Sequence, residues 1–156
     1  MVKRLVWFAA IFGMMGLFIA TGLNAGTEVG DVFEMKSPEY EKHTKGIVSF
    51  SHKKHAADYG AKCGECHHDD KGQPLELKEG DDVQRCIECH KETVKPKGKE
   101  LKAIKKEERI KRFQEEAIHA NCRGCHKKWN KEQGLKNNDP KAAPTTCKNC
   151  HPKKKK

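Results

Sequence analysis

The arrangement of the cysteines constrains this sequence more than any other feature. All eight lie in four copies of one five-residue frame, in which two cysteines enclose two residues and a histidine follows. The copies read CGECH, CIECH, CRGCH and CKNCH, and they begin at Cys63, Cys86, Cys122 and Cys147. No cysteine is left outside them, so one kind of site, repeated four times, accounts for every thiol in the chain.

The frame CxxCH is the attachment signature of c-type haem. Two thiols at this spacing can add to the two vinyl groups on one edge of the porphyrin, and the next residue can place its imidazole beneath the iron. We therefore predict four covalently bound haem c groups. Their attachment residues are Cys63, Cys66, Cys86, Cys89, Cys122, Cys125, Cys147 and Cys150. The proximal iron ligands are His67, His90, His126 and His151.

Three other interpretations account for paired cysteines. A disulfide framework is common in exported chains, and four CxxC knuckles could hold two zinc ions. Neither explains a histidine after every pair. A thioredoxin-like redox pair would occur once, within a β-α-β pattern. Four copies that use every cysteine favour haem.

The composition also requires something other than an ordinary core. Charged residues make up 35% of the 156 positions, and beyond the N-terminus apolar residues are isolated between runs of Lys, Glu and Asp. Burial of so few apolar groups does not compensate for the entropy lost on folding. We therefore predict a multihaem cytochrome fold over residues 46–156. It is mostly irregular, with a few α-helices and at most a short β-hairpin, wrapped around four c-type haems.

The first 25 residues have the pattern of a signal peptide. Lys3 and Arg4 precede an uncharged stretch over 5–23, and the small-residue sequence LNA ends at Ala25. Cleavage after Ala25 is therefore expected. An uncleaved anchor is the alternative, because 19 uncharged residues approach the length of a membrane span. In both cases the rest of the chain is exported, and we expect it in the periplasm.

Charge indicates the class of partner. Without Lys3 and Arg4 the chain keeps 30 Lys and Arg against 22 Asp and Glu, a net charge of +8. Export argues against nucleic acid as a partner. Membrane contact is expected only if the N-terminal segment is uncleaved. The basic net charge favours an acidic protein partner. Lys148 lies inside the fourth motif and lysines fill 153–156 directly after it. We predict a basic collar for the partner there, and a solvated tail is the alternative for the terminal run.

The histidine count indicates the second axial ligands. A methionine in that position would raise the reduction potential, and an open position would permit ligand chemistry. After cleavage only Met35 remains, so methionine cannot serve four irons. The histidines outside the motifs are His43, His52, His55, His68 and His119. Four bis-histidine irons therefore fit with one histidine to spare, and such saturated iron suits low-potential, outer-sphere electron transfer. We expect no enzymatic activity.

Neighbouring histidines must serve different irons. Adjacent Cα atoms are about 3.8 Å apart, so His67 and His68 cannot easily bind opposite faces of one haem. His52 and His55 are likewise too close in sequence to enclose one ring. The segment 48–70 is therefore expected to connect several haems.

A charged insertion separates the second and third motifs. Apolar residues recur there at spacings mostly of three and four, at Leu101, Ile104, Ile110, Phe113 and Ala117. This pattern predicts a helix over about 98–119 with one narrow buried stripe, bounded by KPKG and ending near His119. The helix either delivers His119 to iron or is a solvated spacer. Residues 26–45 are predicted to form a polar leader, and the sequence GIVSF after it a short strand.

The sequence FSHKKH, followed by CGECHH and three further CxxCH motifs, resembles class III cytochrome c, the tetrahaem cytochrome c3 family of anaerobic, notably sulfate-reducing, bacteria. The resemblance covers residues 48–151. Many family members have four residues between the cysteines at some sites, whereas all four sites here have two. The resemblance implies these axial pairs, which leave His43 as the spare: His52 with His67, His68 with His90, His55 with His126, and His119 with His151.

The resemblance also implies a function. It predicts a carrier that exchanges electrons with a periplasmic hydrogenase or formate dehydrogenase and then with a membrane redox complex, in anaerobic respiration such as sulfate respiration. Reduction lowers the net charge, so coupled proton uptake is expected. A membrane-anchored tetrahaem quinol dehydrogenase subunit is the alternative redox function, and a zinc or disulfide module is the non-redox one.

Overall fold

The computed structural model of the protein describes residues 30–153. The predicted signal peptide, 1–25, and the last three lysines of the terminal run lie outside these residues. Within them the chain is mostly irregular, with short helices and a two-stranded antiparallel sheet, which confirms the predicted fold class. None of the helices in this part of the chain combines the length and the hydrophobicity needed to cross a membrane.

The sheet joins the two sides of the N-terminal region. Strand β1 (Val32–Glu34) pairs with β2 (Ser49–Ser51), and Phe33 lies opposite Phe50 in the register. The two rings are 5.3 Å apart in an edge-to-face arrangement, a cross-strand aromatic pair of the kind that stabilises antiparallel strands. The sequence GIVSF, residues 46–50, is predicted to form a short strand, and β2 includes only its last two residues. Its partner comes from the segment predicted to be a leader, which is therefore attached to the rest of the domain.

Short helices follow β2. In the described residues they are a π-helical turn (Lys54–Asp58), a 3₁₀ turn (Cys63–Glu65), α1 (Cys86–Cys89), α2 (Gly98–Ala103), α3 (Lys106–Arg112), α4 (Gln114–Glu132) and α5 (Cys147–Cys150). Three of these elements are CxxC segments, and the remaining motif lies inside α4. Because α3 and α1 both contact α4, α4 is the element around which the second half of the chain is arranged.

The helix predicted over 98–119 is divided into α2, α3 and α4. Ile104 and Phe113 interrupt it with extended backbone, at ψ values of 127° and 121°. The last helix does not end near His119 but continues to Glu132. The spacing of apolar residues indicates helix correctly here, whereas the ends of each helix differ from the prediction.

A tertiary contact explains the break at Phe113. Glu92 donates its backbone N–H to the carbonyl of Arg112 and accepts from the N–H of Gln114, each at 3.1 Å. This short parallel bridge satisfies backbone groups that a continuous helix would have paired internally. It leaves Phe113 only 1% exposed, the most deeply buried aromatic side chain in the described residues.

The apolar core of the described polypeptide is small. Its buried hydrophobic side chains are Ile87, Phe113 and Ala117, and the rest of the predicted stripe, Leu101, Ile104 and Ile110, is only half-buried. A chain of this length normally needs a far larger buried apolar area to compensate for its conformational entropy. The polypeptide fold is therefore consistent with a core supplied largely by prosthetic groups.

We predict that Phe113→Ala lowers the free energy of unfolding by about 3–5 kcal/mol, because it removes a buried aromatic ring at the junction of α3 and α4. The measurement is guanidinium unfolding of the holoprotein, in which the midpoint shifts to lower denaturant. Val94→Ala is the control, since Val94 is 81% exposed and its truncation should change stability by less than about 0.5 kcal/mol. Equal effects of the two substitutions would contradict the assignment of Phe113 to the core.

Candidate functional site

Each motif outside α4 forms one helical turn. The backbone N–H of the motif histidine donates to the backbone carbonyl of the first cysteine, at 2.9 Å for His67, 2.8 Å for His90 and 2.8 Å for His151. Residues i, i+3 and i+4 of a helical turn share a face, so both thiols and the imidazole of a motif lie on one side. His126 has the same relation to its cysteines within α4. The local geometry therefore suits attachment to one edge of a porphyrin.

The thiols are free, and burial affects four of them. All eight cysteines are unpaired, and burial raises the pKa of Cys66, Cys86 and Cys150. Burial, followed by the influence of neighbouring cysteines, raises the pKa of Cys122 to about 11. Because the thiolate is the form that binds metal, these surroundings favour a neutral thiol or thioether. No cluster of three or more His, Cys, Asp or Glu suited to a metal ion is present in residues 30–153.

The structure brings three of the four predicted axial pairs together. Their imidazole centroids have similar separations: His55 and His126 at 6.1 Å, His68 and His90 at 5.9 Å, and His119 and His151 at 6.3 Å. For the fourth pair, burial lowers the pKa of His67, and the charges of His52 and His68 lower it further. The spare histidine, His43, lies against Tyr40 at 5.5 Å.

These separations fit a bis-imidazole iron site. An imidazole nitrogen binds a metal at about 2 Å, so two rings on opposite sides of one iron have their centres about 6 Å apart. The three separations agree with this value. The residues present therefore fit one iron between the rings of each of these three pairs, and the assignment of all eight histidines as ligands stays a prediction.

Backbone carbonyls orient most of these rings. Nδ1–H donates to the carbonyl of another residue in five cases: His55 to Ser51 at 2.8 Å, His68 to Asp69 at 2.7 Å, His90 to Lys111 at 3.1 Å, His126 to Pro144 at 2.7 Å, and His151 to Gly46 at 2.8 Å. A carbonyl only accepts, so Nδ1 carries the proton and the neutral ring presents an unprotonated Nε2. This is the usual outer partner of a metal-binding histidine.

His119 has a different neighbour. Its Nδ1 lies 3.8 Å from the carboxylate of Glu115, one helical turn earlier in α4. Burial lowers the pKa of His119, Glu115 acts in the opposite direction, and Arg123 and Lys95 lower it further. The net effect favours the neutral imidazole, which is the form that binds metal.

Side chains of α4 hold the segment that precedes the fourth motif. Asn130 accepts a hydrogen bond from the N–H of Ala143 at 2.8 Å and donates one to its carbonyl at 2.9 Å. Arg123 donates to the carbonyl of Thr145 at 3.1 Å. Asn130 is buried with 4% exposure, so these bonds form in the interior. They connect the third motif to the fourth.

The sequence analysis missed these supporting residues. The carbonyl acceptors carry no signal, because every residue has a backbone carbonyl and only the fold decides which one meets an imidazole. The spacing of Arg123, His126 and Asn130 places them on one face of a helix, which is the only available indication of their shared role. Glu115 could have been recognised as a neighbour of His119 from its i, i+4 spacing.

Gly46 links the N-terminal region to the fourth motif. Its carbonyl accepts from His151, and a Cβ at this position would collide with the carbonyl of Pro152. A residue with a side chain would therefore push the two segments apart. The position requires glycine for close approach, not for its backbone angles.

We predict that Gly46→Ala lowers the free energy of unfolding by about 1–3 kcal/mol, the usual cost of overpacking. The measurement is the denaturant midpoint of the holoprotein. Gly30→Ala is the matched control, since its Cβ would meet nothing closer than the Val32 carbonyl at 3.7 Å. A Gly46 variant as stable as the Gly30 variant would show that the two segments are not in close contact.

One comparison with known proteins identifies the family. The sequence model of the class III cytochrome C family matches residues 30–155. No curated protein matches the chain. The matched range contains all four CxxCH motifs and the eight histidines predicted to bind iron. The chain therefore belongs to the class III cytochrome c family.

Proposed function

We propose that this chain is a periplasmic, low-potential electron carrier with four bis-histidine haem c groups, with protons coupled to its reduction and no catalytic site of its own. Its family consists of multihaem electron-transfer proteins with covalently bound haem. The observation that carries the finer proposal is the three imidazole pairs with centroids 5.9–6.3 Å apart. Each pair includes the histidine of a CxxCH motif.

The residues have distinct roles in this proposal. The cysteine pairs would form the thioether links, and the paired histidines would hold iron from both sides. The bound haem supplies one-electron chemistry. Because both axial positions are taken by histidine, the sites exclude substrate, and two histidines without methionine favour a low potential. Carbonyl acceptors such as those of Ser51 and Pro144 fix ring orientation, so little rearrangement is needed when the charge changes.

Proximity between sites supports electron exchange within the molecule. His67 and His68 are adjacent in sequence but lie near different partners. Phe50 likewise lies between two predicted sites, with its ring 4.6 Å from that of His55 and 6.3 Å from that of His52. Shared neighbouring residues of this kind support electron transfer from one predicted site to the next.

We predict that mass spectrometry of the exported protein gives a chain beginning at Gly26 with the added mass of four haems. Cys63→Ser with Cys66→Ser should carry three, because one attachment pair is lost. The pyridine haemochrome absorbance per chain should fall by a quarter. The mass of the bare polypeptide would refute the proposal, and retention of residues 1–25 would favour the anchored quinol dehydrogenase alternative.

A basic surface at the fourth motif supports an acidic redox partner. Lys45, Lys148 and Lys153 line a cavity of about 340 Å³ that Cys147 and His151 also line. Lys45 comes from the N-terminal region and meets Lys148 and Lys153 of the C-terminal segment beside one predicted haem site. Such a surface steers an oppositely charged protein toward the haem edge. We propose a periplasmic hydrogenase or formate dehydrogenase there, with a membrane redox complex as the second partner.

We predict that neutralising this surface slows reduction by hydrogenase. The variant replaces Lys45, Lys148 and the lysines at 153–156 with Gln. At low salt the rate should fall about tenfold or more, and the difference should shrink as added salt screens the charges. Stopped-flow measurement of haem reduction over a salt series tests this.

The matched control replaces the same number of exposed lysines that do not line this cavity: Lys71, Lys78, Lys99, Lys102, Lys106 and Lys136. A smaller loss of rate in this variant, at the same salt, assigns the effect to the fourth motif. Equal losses in both variants would indicate a general effect of net charge and would refute a localised docking surface.

A further inference from the structure

The surroundings of His119 set it apart from the other predicted ligands. In the part of the chain that the structure describes, five of them face a backbone carbonyl through Nδ1, whereas the Nδ1 of His119 faces the Glu115 carboxylate at 3.8 Å. This distance is too long for a hydrogen bond. The carboxylate therefore places a negative charge beside the imidazole without bonding to it, and the i, i+4 geometry of α4 maintains this arrangement.

Lys95 completes the group. Its Nζ lies 2.9 Å from Glu115 Oε1 and 2.5 Å from Glu116 Oε1. The side chains of Lys95 and Glu116 are only 25% and 22% exposed, and those of Glu115 and His119 are 47% and 38% exposed. These charges are thus partly removed from water, where screening is weaker than at a fully exposed surface. Lys95, Glu115 and Glu116 together carry a formal charge of −1.

We propose that the Lys95–Glu115 pair sets the reduction potential of the haem bound by His119: Glu115 lowers it, and Lys95 limits that effect. The inference rests on the proposed function through the ligand role of His119. Reduction adds one electron to the ferric iron and lowers its charge by one. A nearby carboxylate therefore favours the ferric form, and a nearby ammonium favours the ferrous form. Neither residue contacts the iron, and each acts by its charge beside the ligand His119.

The test is a potentiometric titration of the holoprotein followed by EPR or NMR, which report the oxidation state of each haem. It is carried out near pH 8, about four units above the ordinary pKa of a carboxylate. At the wild-type midpoint of this haem, Glu115→Gln should lower its ferric-to-ferrous ratio about threefold. That corresponds to a midpoint about 30 mV higher, at 59 mV per tenfold change for one electron.

Lys95→Met should have the opposite effect, an approximately threefold rise in the ratio. The two substitutions together should restore a value near that of the wild type, because the local formal charge returns to −1. Opposite signs are the distinctive outcome. Damage to the site by loss of packing would shift both single variants in the same direction.

Glu132→Gln is the matched control. Glu132 is also in α4 and pairs with Lys128 at 3.9 Å, but it lies 13 residues beyond His119. At 1.5 Å per residue the separation along the helix is about 20 Å, well beyond the screening length of about 10 Å at 0.1 M salt. This variant should leave the midpoint of the His119 haem unchanged.

Two results would overturn the inference. One is an unchanged ratio in both single variants, and the other is a shift of both in the same direction. His119→Ala separates these outcomes from failure of the proposed ligand role, because loss of the ligand converts one low-spin haem to high-spin. If His119→Ala leaves every haem low-spin, the ligand assignment fails and the inference fails with it.

Discussion

The pairing of imidazole rings from distant parts of the chain is the constraint on which this structure depends. Few apolar side chains are buried, and regular secondary structure is short. The pairs nevertheless bring together segments far apart in sequence, as when His55 meets His126 and His119 meets His151. A metal that joins each pair would act as a cross-link, and the haem around it would supply the apolar surface that the polypeptide lacks.

Much of the remaining architecture holds those rings in position. Gly46 approaches Pro152 closely because its carbonyl must reach His151. Asn130 binds both polar groups of Ala143 and so holds the segment that carries the carbonyl acceptor of His126. In an ordinary domain such buried polar contacts would be secondary to apolar packing. Here they hold the carbonyls that orient His126 and His151, the predicted ligands of two irons.

Charge has local roles in this chain beyond its net basic balance. Near the fourth motif, Lys45, Lys148 and Lys153 form a surface suited to an acidic redox partner. In α4, which contains the third motif, Glu115 lies one turn before His119 and pairs with Lys95. In the function proposed here, the first arrangement would affect how quickly an electron arrives, and the second how strongly one site retains it. Differences of this kind can give a direction to electron transfer among several similar haem sites.

The sequence by itself determined the chemistry. CxxCH requires two thiols and an imidazole on one helical face, and that requirement is local, so the motifs, the predicted fold class and the family were all readable from residue order. The pairing of histidines followed from family resemblance and not from spacing. Helix ends were less predictable. The apolar spacing over 98–119 indicated helix, but the interruption at Phe113 depends on the bridge between Glu92 and Phe113.

Tertiary structure alone decided the surroundings of several rings. That His90 meets the carbonyl of Lys111, that His151 meets that of Gly46, and that Lys45 joins the lysines of the fourth motif all depend on contacts between residues remote in sequence. Local sequence carries no record of such contacts, because a backbone carbonyl is the same in every residue and a surface lysine has no preferred neighbour. Only the folded chain fixes these distances, and distance governs both hydrogen bonding and the strength of one charge on another.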